Sequence, residues 1–185
     1  MLSQFQAVGH ALSSQGLVSG ASGNLSVRNK DRLVITHRGC DLSSLADRDL
    51  VETGIFADDA ATPSASSELP VHRCIYGRNQ AGTVVHAHPL YGSALSMRYR
   101  VVAPGDLEGR LVLGDVPVVG DGERLLPGEF GEEIAAALQH ASIVLVRGHG
   151  SFAVGEDLRQ AYYRTLVLER SCRILYMLRT LPAGL

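Results

Sequence analysis

The chain has 185 residues, of which 45% are apolar and 19% charged, and its formal net charge is −2. This composition is that of an ordinary globular protein and excludes a disordered chain or a strongly basic nucleic-acid binder. The length suits one well-cored domain, so residues 1–185 are expected to form a single domain. No apolar run approaches the roughly 20 residues that span a bilayer.

The N-terminus and the cysteines predict a cytoplasmic protein. Residues 1–6 lack the basic and apolar regions of a secretory signal. Cys40, Cys74 and Cys172 are odd in number and widely spaced, which supports neither a disulfide framework nor a Cys-x-x-Cys metal knuckle. We therefore expect a reducing compartment, with neither a membrane nor a nucleic acid as partner.

The first part of the chain is predicted to contain one helix and several short strands. Apolar residues at helical spacing predict a helix over 2–12. The segment 16–23 is rich in Gly and Ser, which suits a flexible loop or a backbone cradle for an anion. Strands are predicted at 25–28, 32–36 and 50–53, and an exposed loop at 58–64.

Residues 66–76 are predicted to begin a helix. Ser66 or Ser67 would cap it, Glu68 would occupy its first turn, and Pro70 is tolerated there. Favourable interaction with the helix dipole is sufficient to explain Glu68, and capping is sufficient to explain the serines. A helix N-terminus with free N–H groups is also a site for anions.

Residues 84–89, with the sequence VVHAHP, predict the end of a β-strand. Alternate residues of a strand point to one face, so His86 and His88 should leave the sheet on the same side, about 6.5 to 7 Å apart at the backbone. Pro89 would end the ladder. Two ring nitrogens at this separation can converge on one cation, although isolated histidines are also common as ordinary hydrogen-bonded residues.

The second half is predicted to deliver a third histidine to a strand end. Residues 142–146 are predicted to form a fully buried strand that leads into a tight turn at 147–152, where His149 stands between two glycines. These glycines leave room beside the imidazole. The other elements predicted here are helices at 90–97, 130–140 and 156–181, and strands or extended loops at 101–103, 110–113 and 116–119.

Three histidines at strand ends indicate a metal site. Three neutral imidazoles with a carboxylate or water form the ligand set of a catalytic zinc ion, and such an ion acts as a Lewis acid. The length disfavours a barrel hydrolase with a His-x-His motif, because such barrels typically need about 250 residues. The remaining histidines lack this placement, and two of them are predicted to lie on the surface of helices. These four are His37 and His72, and the surface pair His10 and His140.

Five motifs together resemble the class II aldolase/adducin family, which includes L-fuculose-1-phosphate aldolase and L-ribulose-5-phosphate 4-epimerase. Their order and spacing match the family over about residues 5 to 180. The resemblance implies a three-layer α/β/α fold with a mostly antiparallel central sheet and helices on both faces, and a C4 homotetramer. The motifs are GNLSVR at 23–28, ITHRG at 35–39, SSE at 66–68, VHAH at 85–88 and GHG at 148–150.

The resemblance also implies the roles of individual residues. His86, His88 and His149 would bind Zn²⁺, or another divalent cation such as Mn²⁺ or Co²⁺. Glu68 would approach the metal and move the proton. The implied pocket for the phosphate of a small sugar consists of Asn24, Gly39, Ser66 and Ser67.

The reaction implied by the resemblance is retro-aldol cleavage of a phosphorylated ketose to dihydroxyacetone phosphate and an aldehyde, through a metal-stabilised enediolate. Glutamate at position 68 favours the aldolase branch, since epimerase-like members carry aspartate there. An epimerase or decarboxylase acting on a sugar or sugar-acid phosphate is the alternative on the same zinc site. A non-catalytic, adducin-like interaction module is the alternative of another class.

Two departures from the family leave the substrate open. His37 and Arg38 stand where the family usually has proline and a small hydroxyl residue, and Arg38 would either bind the anion bidentately or indicate another substrate. The tyrosine that fuculose-phosphate aldolases supply from a neighbouring subunit is also missing, because the chain reads Asp-Leu-Glu at 106–108. The candidate substitutes are Tyr91, Tyr99 and Tyr176.

Overall fold

A computed structural model describes residues 1–120 and 130–181 of the chain. Over these residues, an eight-stranded sheet lies between two sets of helices, which confirms the predicted three-layer α/β/α class. The predicted single domain over 1–185 also includes 121–129 and 182–185, which lie outside the described residues, and it stays a prediction.

The sheet is antiparallel except for one pair of strands, as the sequence predicted. Its order is β3-β2-β1-β4-β8-β7-β6-β5, and only β6 and β7 run parallel. The central strands are therefore β4 and β8. The strands are β1 (Asn24–Asn29), β2 (Arg32–Thr36), β3 (Leu50–Gly54), β4 (Thr83–Ala87), β5 (Val101–Val102), β6 (Val116–Val119), β7 (Ile143–Val146) and β8 (Gly150–Gly155).

Six α-helices cover the two faces of the sheet within the described residues. Helices α1, α3, α4 and α6 pack on one face, and α2 and α5 pack on the other. No helix in these parts of the chain has the length and hydropathy that a membrane crossing requires. The helices are α1 (Leu2–Ser14), α2 (Leu69–Arg78), α3 (Leu90–Ser96), α4 (Leu107–Val112), α5 (Gly131–Ala137) and α6 (Leu158–Thr180).

Strand β4 contributes to a separate core on each side of the sheet. Val85 and Ala87 pack with α1 and α6, whereas Val84 packs with α2 and α5. Because side chains alternate along a strand, His86 points to the same side as Val84. It stacks there on Phe152 of β8 with ring centroids 4.2 Å apart. The alternation thus directs the first histidine toward the α2 layer.

Three predicted elements need correction. Residues 110–113 belong largely to helix α4, which Asp106 caps by accepting a hydrogen bond from the Gly109 N–H. Six residues are too few for a helical period to show in the sequence. Residues 150–152 begin β8, whose two buried faces remove any alternation of polarity, so the turn covers only 147–149. His140 is exposed as predicted, but it follows α5 rather than lying on it.

Substitution of Gly9 tests how closely α1 packs against the 3₁₀ turn at Leu42–Ser44. Glycine in a helix usually costs about 1 kcal/mol relative to alanine, but a Cβ at Gly9 would overlap the Leu42 carbonyl oxygen. Gly9→Ala should therefore lower the free energy of unfolding by about 1 to 3 kcal/mol, as measured by urea denaturation.

Gly77→Ala is the matched control for this substitution. Gly77 also lies within a helix, and the nearest atom to its added Cβ would be Phe56 Cε1 at 4.0 Å. This variant should be as stable as the parent or more stable. Equal effects of the two substitutions would show that the contact between Gly9 and Leu42 is unimportant.

Candidate functional site

His86, His88 and His149 bring their ring nitrogens together at one end of the central strands. One nitrogen from each ring lies within 4.8 Å of the others, and the Nε2 atoms of His86 and His88 are 2.9 Å apart. The predicted same-side placement of these two rings is therefore confirmed. A tetrahedral zinc ion with bonds of about 2.0 to 2.1 Å separates its ligand nitrogens by about 3.3 Å. The His86 and His88 nitrogens are near this spacing, and the cluster is compact enough to close around one metal ion.

Two glycines allow this arrangement in different ways. Gly148 adopts a φ of 68° in the turn between β7 and β8, a conformation that favours glycine. A Cβ at Gly150 would overlap the Ala87 carbonyl oxygen and approach His88 Cδ2 to 2.9 Å. The Gly-His-Gly sequence was expected to leave space beside the His149 ring. At Gly150, the His88 ring occupies this space.

His86 is neutral and presents a lone pair to the cluster. Burial lowers its pKa to about 3, and its Nδ1–H donates to the Ser151 carbonyl oxygen at 3.0 Å. Its Nε2 therefore carries no hydrogen, although it lies 3.1 Å from the carboxylate oxygen Oε2 of Glu68. A cation shared by these two atoms would remove their repulsion. The donor set consequently fits a divalent metal ion.

Glu68 supplies the carboxylate of the site and is only 3% exposed. Burial acts to raise its pKa, but hydrogen bonding by His149 and by the Asn24 amide lowers that pKa below its usual range. Oε2 accepts a hydrogen bond from Asn24 Nδ2 at 2.7 Å, and Oε1 lies 3.2 Å from His149 Nε2. An ionised carboxylate in this position can accept a proton or approach a metal.

Glu68 directly precedes helix α2, so its predicted place in the first helical turn was wrong by one residue. The Ser66 hydroxyl accepts a hydrogen bond from the Glu68 N–H at 3.3 Å, which forms a turn and delays the helix until Leu69. Glu68 makes no capping hydrogen bond with its side chain. Its carboxylate is therefore directed to the histidines, and interaction with the helix dipole is not sufficient to explain it.

A small polar cavity of about 140 Å³ opens beside the histidines. Asn24, Gly39, Ser66 and Ser67, all predicted to bind phosphate, line it. Arg38 does not: its side chain is exposed, and its backbone N–H donates to the Ser64 carbonyl oxygen at 3.0 Å. Ala21, Ser22 and Gly23 also line the cavity, and they belong to the segment predicted as a flexible loop or an anion cradle. His37 and Cys40, to which the sequence assigned no phosphate contact, complete this part of the lining.

His72, to which the sequence pattern assigned no role, lies behind Asn24 of the cavity lining. It is completely buried, and its Nε2 lies 2.5 Å from Asn24 Oδ1. Its Nδ1 lies 2.6 Å from Ser26 Oγ. The spacing of residues 68, 72 and 76, four apart at the start of α2, was the available signal, because such residues share one face of a helix.

The three candidate tyrosines lie away from the cavity. Tyr91 and Tyr176 contact each other with ring centroids 5.4 Å apart, and the Arg179 guanidinium lies 4.5 Å above the ring of Tyr99. These residues belong to or pack beside α3 and α6. Among the residues that the structure describes, the cavity lining contains no tyrosine.

Comparison with known proteins gives matches along nearly the whole chain. The family model of the Class II Aldolase and Adducin N-terminal domain matches residues 3–176. The crystal structure of L-fuculose-1-phosphate aldolase from Thermus thermophilus is similar with a TM-score of 0.92 and 37% identity, covering 99% of this chain and 98% of that one.

Two relatives found by sequence carry different activities in their names. L-fuculose phosphate aldolase of Methanococcus maripaludis (strain C5) is 28% identical over 184 residues, which is 97% of this chain and 98% of the relative. Methylthioribulose-1-phosphate dehydratase of Acidiphilium cryptum (strain JF-5) is 32% identical over 182 residues, which is 88% of this chain and 83% of the relative. Similarity to these two relatives therefore does not distinguish cleavage of a C–C bond from dehydration.

Gly150→Ala should weaken metal binding. The added Cβ would push against the His88 ring and the Ala87 carbonyl oxygen, so we expect zinc affinity to fall about 10- to 100-fold. Competition with a chromophoric chelator measures this affinity. The control is Gly105→Ala, whose Cβ would make only an ordinary contact with Leu175 at 3.5 Å. Unchanged affinity in Gly150→Ala would contradict the packing described for the histidines.

His72 should make the stability of the metal-free protein depend on pH. Burial lowers its pKa from 6.5 to about 4, so below pH 6.5 the unfolded state binds the proton and the native state does not. The free energy of unfolding should fall as the pH drops from 6.5 toward 4, and His72 should contribute about 2 kcal/mol to this fall. Urea denaturation of the chelator-treated parent and of His72→Gln at pH 7 and pH 4.5 measures this contribution. The variant should lose correspondingly less stability, and an identical loss would refute the assignment.

Proposed function

The chain belongs to the class II aldolase and adducin N-terminal domain family, and on that premise we propose that it is a zinc-dependent aldolase. It cleaves a small phosphorylated ketose to dihydroxyacetone phosphate and an aldehyde. The observation that carries this proposal is the convergence of His86, His88, His149 and Glu68 beside a polar cavity. The 37% identity to a structure named L-fuculose-1-phosphate aldolase makes L-fuculose 1-phosphate the first substrate to test.

The three histidines are the proposed metal ligands. Their neutral nitrogens suit Zn²⁺, and Mn²⁺ or Co²⁺ are the alternatives among borderline divalent cations. When bound, the ion supplies Lewis-acid polarisation of the substrate carbonyl and stabilises the negative charge that develops next to it. Glu68 lies close enough to His86 and His149 to approach the same ion.

The phosphate is proposed to occupy the cavity beside the histidines. After its hydrogen bond to Glu68, Asn24 Nδ2 retains one hydrogen for an anion. The Ser66 and Ser67 hydroxyls and the backbone of Gly39, which has a φ of 74°, complete this group of polar contacts. Arg38 is left out because its exposed side chain does not line the cavity.

Glu68 is proposed to move the proton. Cleavage breaks the bond between the third and fourth carbons, and the electron pair remains on the third carbon as an enediolate. The hydroxyl on the fourth carbon loses one proton as the aldehyde forms, and the third carbon gains one. Glu68 is ionised, so it first accepts a proton that the reaction releases and then delivers a proton to the enediolate.

Dehydration of a sugar phosphate is the second candidate function. It is favoured by the 32% identity to methylthioribulose-1-phosphate dehydratase of Acidiphilium cryptum. Epimerisation and decarboxylation use the same kind of site, but no contact among the residues that the structure describes favours them. The retained cluster of three histidines argues against a non-catalytic interaction module. The C4 homotetramer stays a prediction.

Product analysis separates these reactions. The zinc-loaded protein is incubated with L-fuculose 1-phosphate, related ketose 1-phosphates and methylthioribulose 1-phosphate. A coupled assay with glycerol-3-phosphate dehydrogenase detects dihydroxyacetone phosphate, which should form in equal amount to the ketose consumed. Consumption without triose phosphate, with a product lighter by one water in mass spectrometry, would support dehydration instead. No consumption of any substrate would contradict both candidates.

Two substitutions should separate metal binding from proton transfer. His88→Ala removes a proposed ligand and should lose both zinc and activity. Glu68→Gln keeps the shape of the side chain but cannot accept the proton, so it should retain most of the zinc while kcat falls about 10²- to 10⁴-fold. Zinc content is measured by elemental mass spectrometry, with substitution of the exposed His10 on α1, His10→Ala, as the control. Full turnover by Glu68→Gln would show that another group moves the proton.

A further inference from the structure

We propose that His72 is a positioning residue: as its Nε2–H tautomer, held by Ser26, it orients the Asn24 amide so that an N–H group faces Glu68. This inference rests on the proposed function, in which Glu68 moves the proton. His72 itself does not line the substrate cavity. It acts through Asn24, the residue that stands between it and Glu68.

Five buried side chains form an unbroken series of hydrogen bonds. Glu68 Oε2 lies 2.7 Å from Asn24 Nδ2, and Asn24 Oδ1 lies 2.5 Å from His72 Nε2. His72 Nδ1 lies 2.6 Å from Ser26 Oγ, and Ser26 Oγ lies 2.7 Å from Tyr76 Oη. None of the five is more than 5% exposed. Water therefore has little access to these groups, and each depends on its neighbour in the series.

The Asn24 amide determines the direction of the first two hydrogen bonds. Its NH₂ group can only donate, and Nδ2 lies 2.7 Å from Glu68 Oε2. The Asn24 carbonyl oxygen faces His72 and can only accept. His72 Nε2 must consequently carry the hydrogen of this short contact.

The neutral ring of His72 determines the direction of the others. Burial leaves His72 uncharged at pH 7, with a pKa of about 4, so it has a single ring hydrogen and its Nδ1 is an acceptor. Ser26 must donate its hydroxyl hydrogen to Nδ1. Ser26 Oγ then accepts from the Tyr76 hydroxyl. Each hydrogen bond in the series is thus donated in the same direction, from Tyr76 through His72 toward Glu68.

This fixed direction is what orients Asn24. With the opposite tautomer of His72, two acceptors would face each other at Asn24 Oδ1, and rotation of the amide would turn that oxygen toward the Glu68 carboxylate. Either outcome leaves a buried acceptor without a donor, which is unfavourable. The correct tautomer therefore maintains the hydrogen bond that holds Glu68 against the histidine cluster.

The tautomer can be measured without any substrate. Nitrogen chemical shifts of ¹⁵N-histidine-labelled, metal-free protein report which ring nitrogen carries the hydrogen, and the signal missing from His72→Gln assigns His72. We expect Nε2–H at pH 7. A ring with its hydrogen on Nδ1, or a doubly protonated ring, would overturn the proposal whatever the reaction of the protein proves to be.

Two substitutions at position 72 test the effect on turnover. His72→Leu removes the donor to Asn24, so kcat should fall about 10- to 100-fold while KM and zinc content change less than about 3-fold. His72→Gln retains an amide donor and should recover kcat to within about 5-fold of the parent. If His72 only stabilised the fold, the two variants would not differ in kcat while their KM and zinc content stayed similar. Equal kcat in both, with folded and zinc-loaded protein, would overturn the proposal.

The outcomes separate this inference from the proposed function. If the parent protein forms dihydroxyacetone phosphate and His72→Leu is as active, the positioning role fails and the aldolase proposal stands. If the parent forms no triose phosphate but His72 is the Nε2–H tautomer, the aldolase proposal fails and the arrangement of Asn24 stands. His10→Leu, on the exposed face of α1, controls for the loss of a histidine.

Discussion

The site depends on the contact between a buried carboxylate and a buried imidazole lone pair. Glu68 Oε2 and His86 Nε2 lie 3.1 Å apart, and each is an acceptor. Bringing such groups together away from water costs free energy unless a cation or a donor compensates them. The Ser151 carbonyl, the Asn24 amide and the close passage of Gly150 hold this unfavourable pair in place. The geometry is thus arranged for a positive ion.

Pairing of the central strands delivers these groups from distant parts of the chain. Asn24 of β1 is the cross-strand partner of His86 on β4, and His86 is the partner of Phe152 on β8. Directly opposite residues of neighbouring strands share a face of the sheet, so Asn24, His86 and Phe152 all face α2. Glu68 and His72 then approach from α2 itself. A shift of one residue in either pairing would send Asn24 or His86 to the opposite core.

Much of this arrangement could be predicted from local pattern. The alternation of His-Ala-His placed two rings on one face, the Gly-His-Gly turn supplied the third, and the ordered motifs identified the fold. Other features depend on contacts between distant segments, which a local pattern does not contain. The role of His72 needs the pairing of β1 with β4, and the exposure of Arg38 depends on the direction of one side chain in a turn. Glu68 lies one residue before α2 because a turn formed by Ser66 replaces the start of the helix there.

His86, His88 and His149 are proposed to hold one divalent ion. Anomalous diffraction from crystals of the zinc-loaded protein, measured just above and just below the zinc absorption edge, would reveal such an ion. We expect a single strong anomalous peak in the cluster, about 2.0 to 2.1 Å from one nitrogen of each ring. No anomalous peak there, or a peak in contact with fewer than three of these rings, would contradict the proposal.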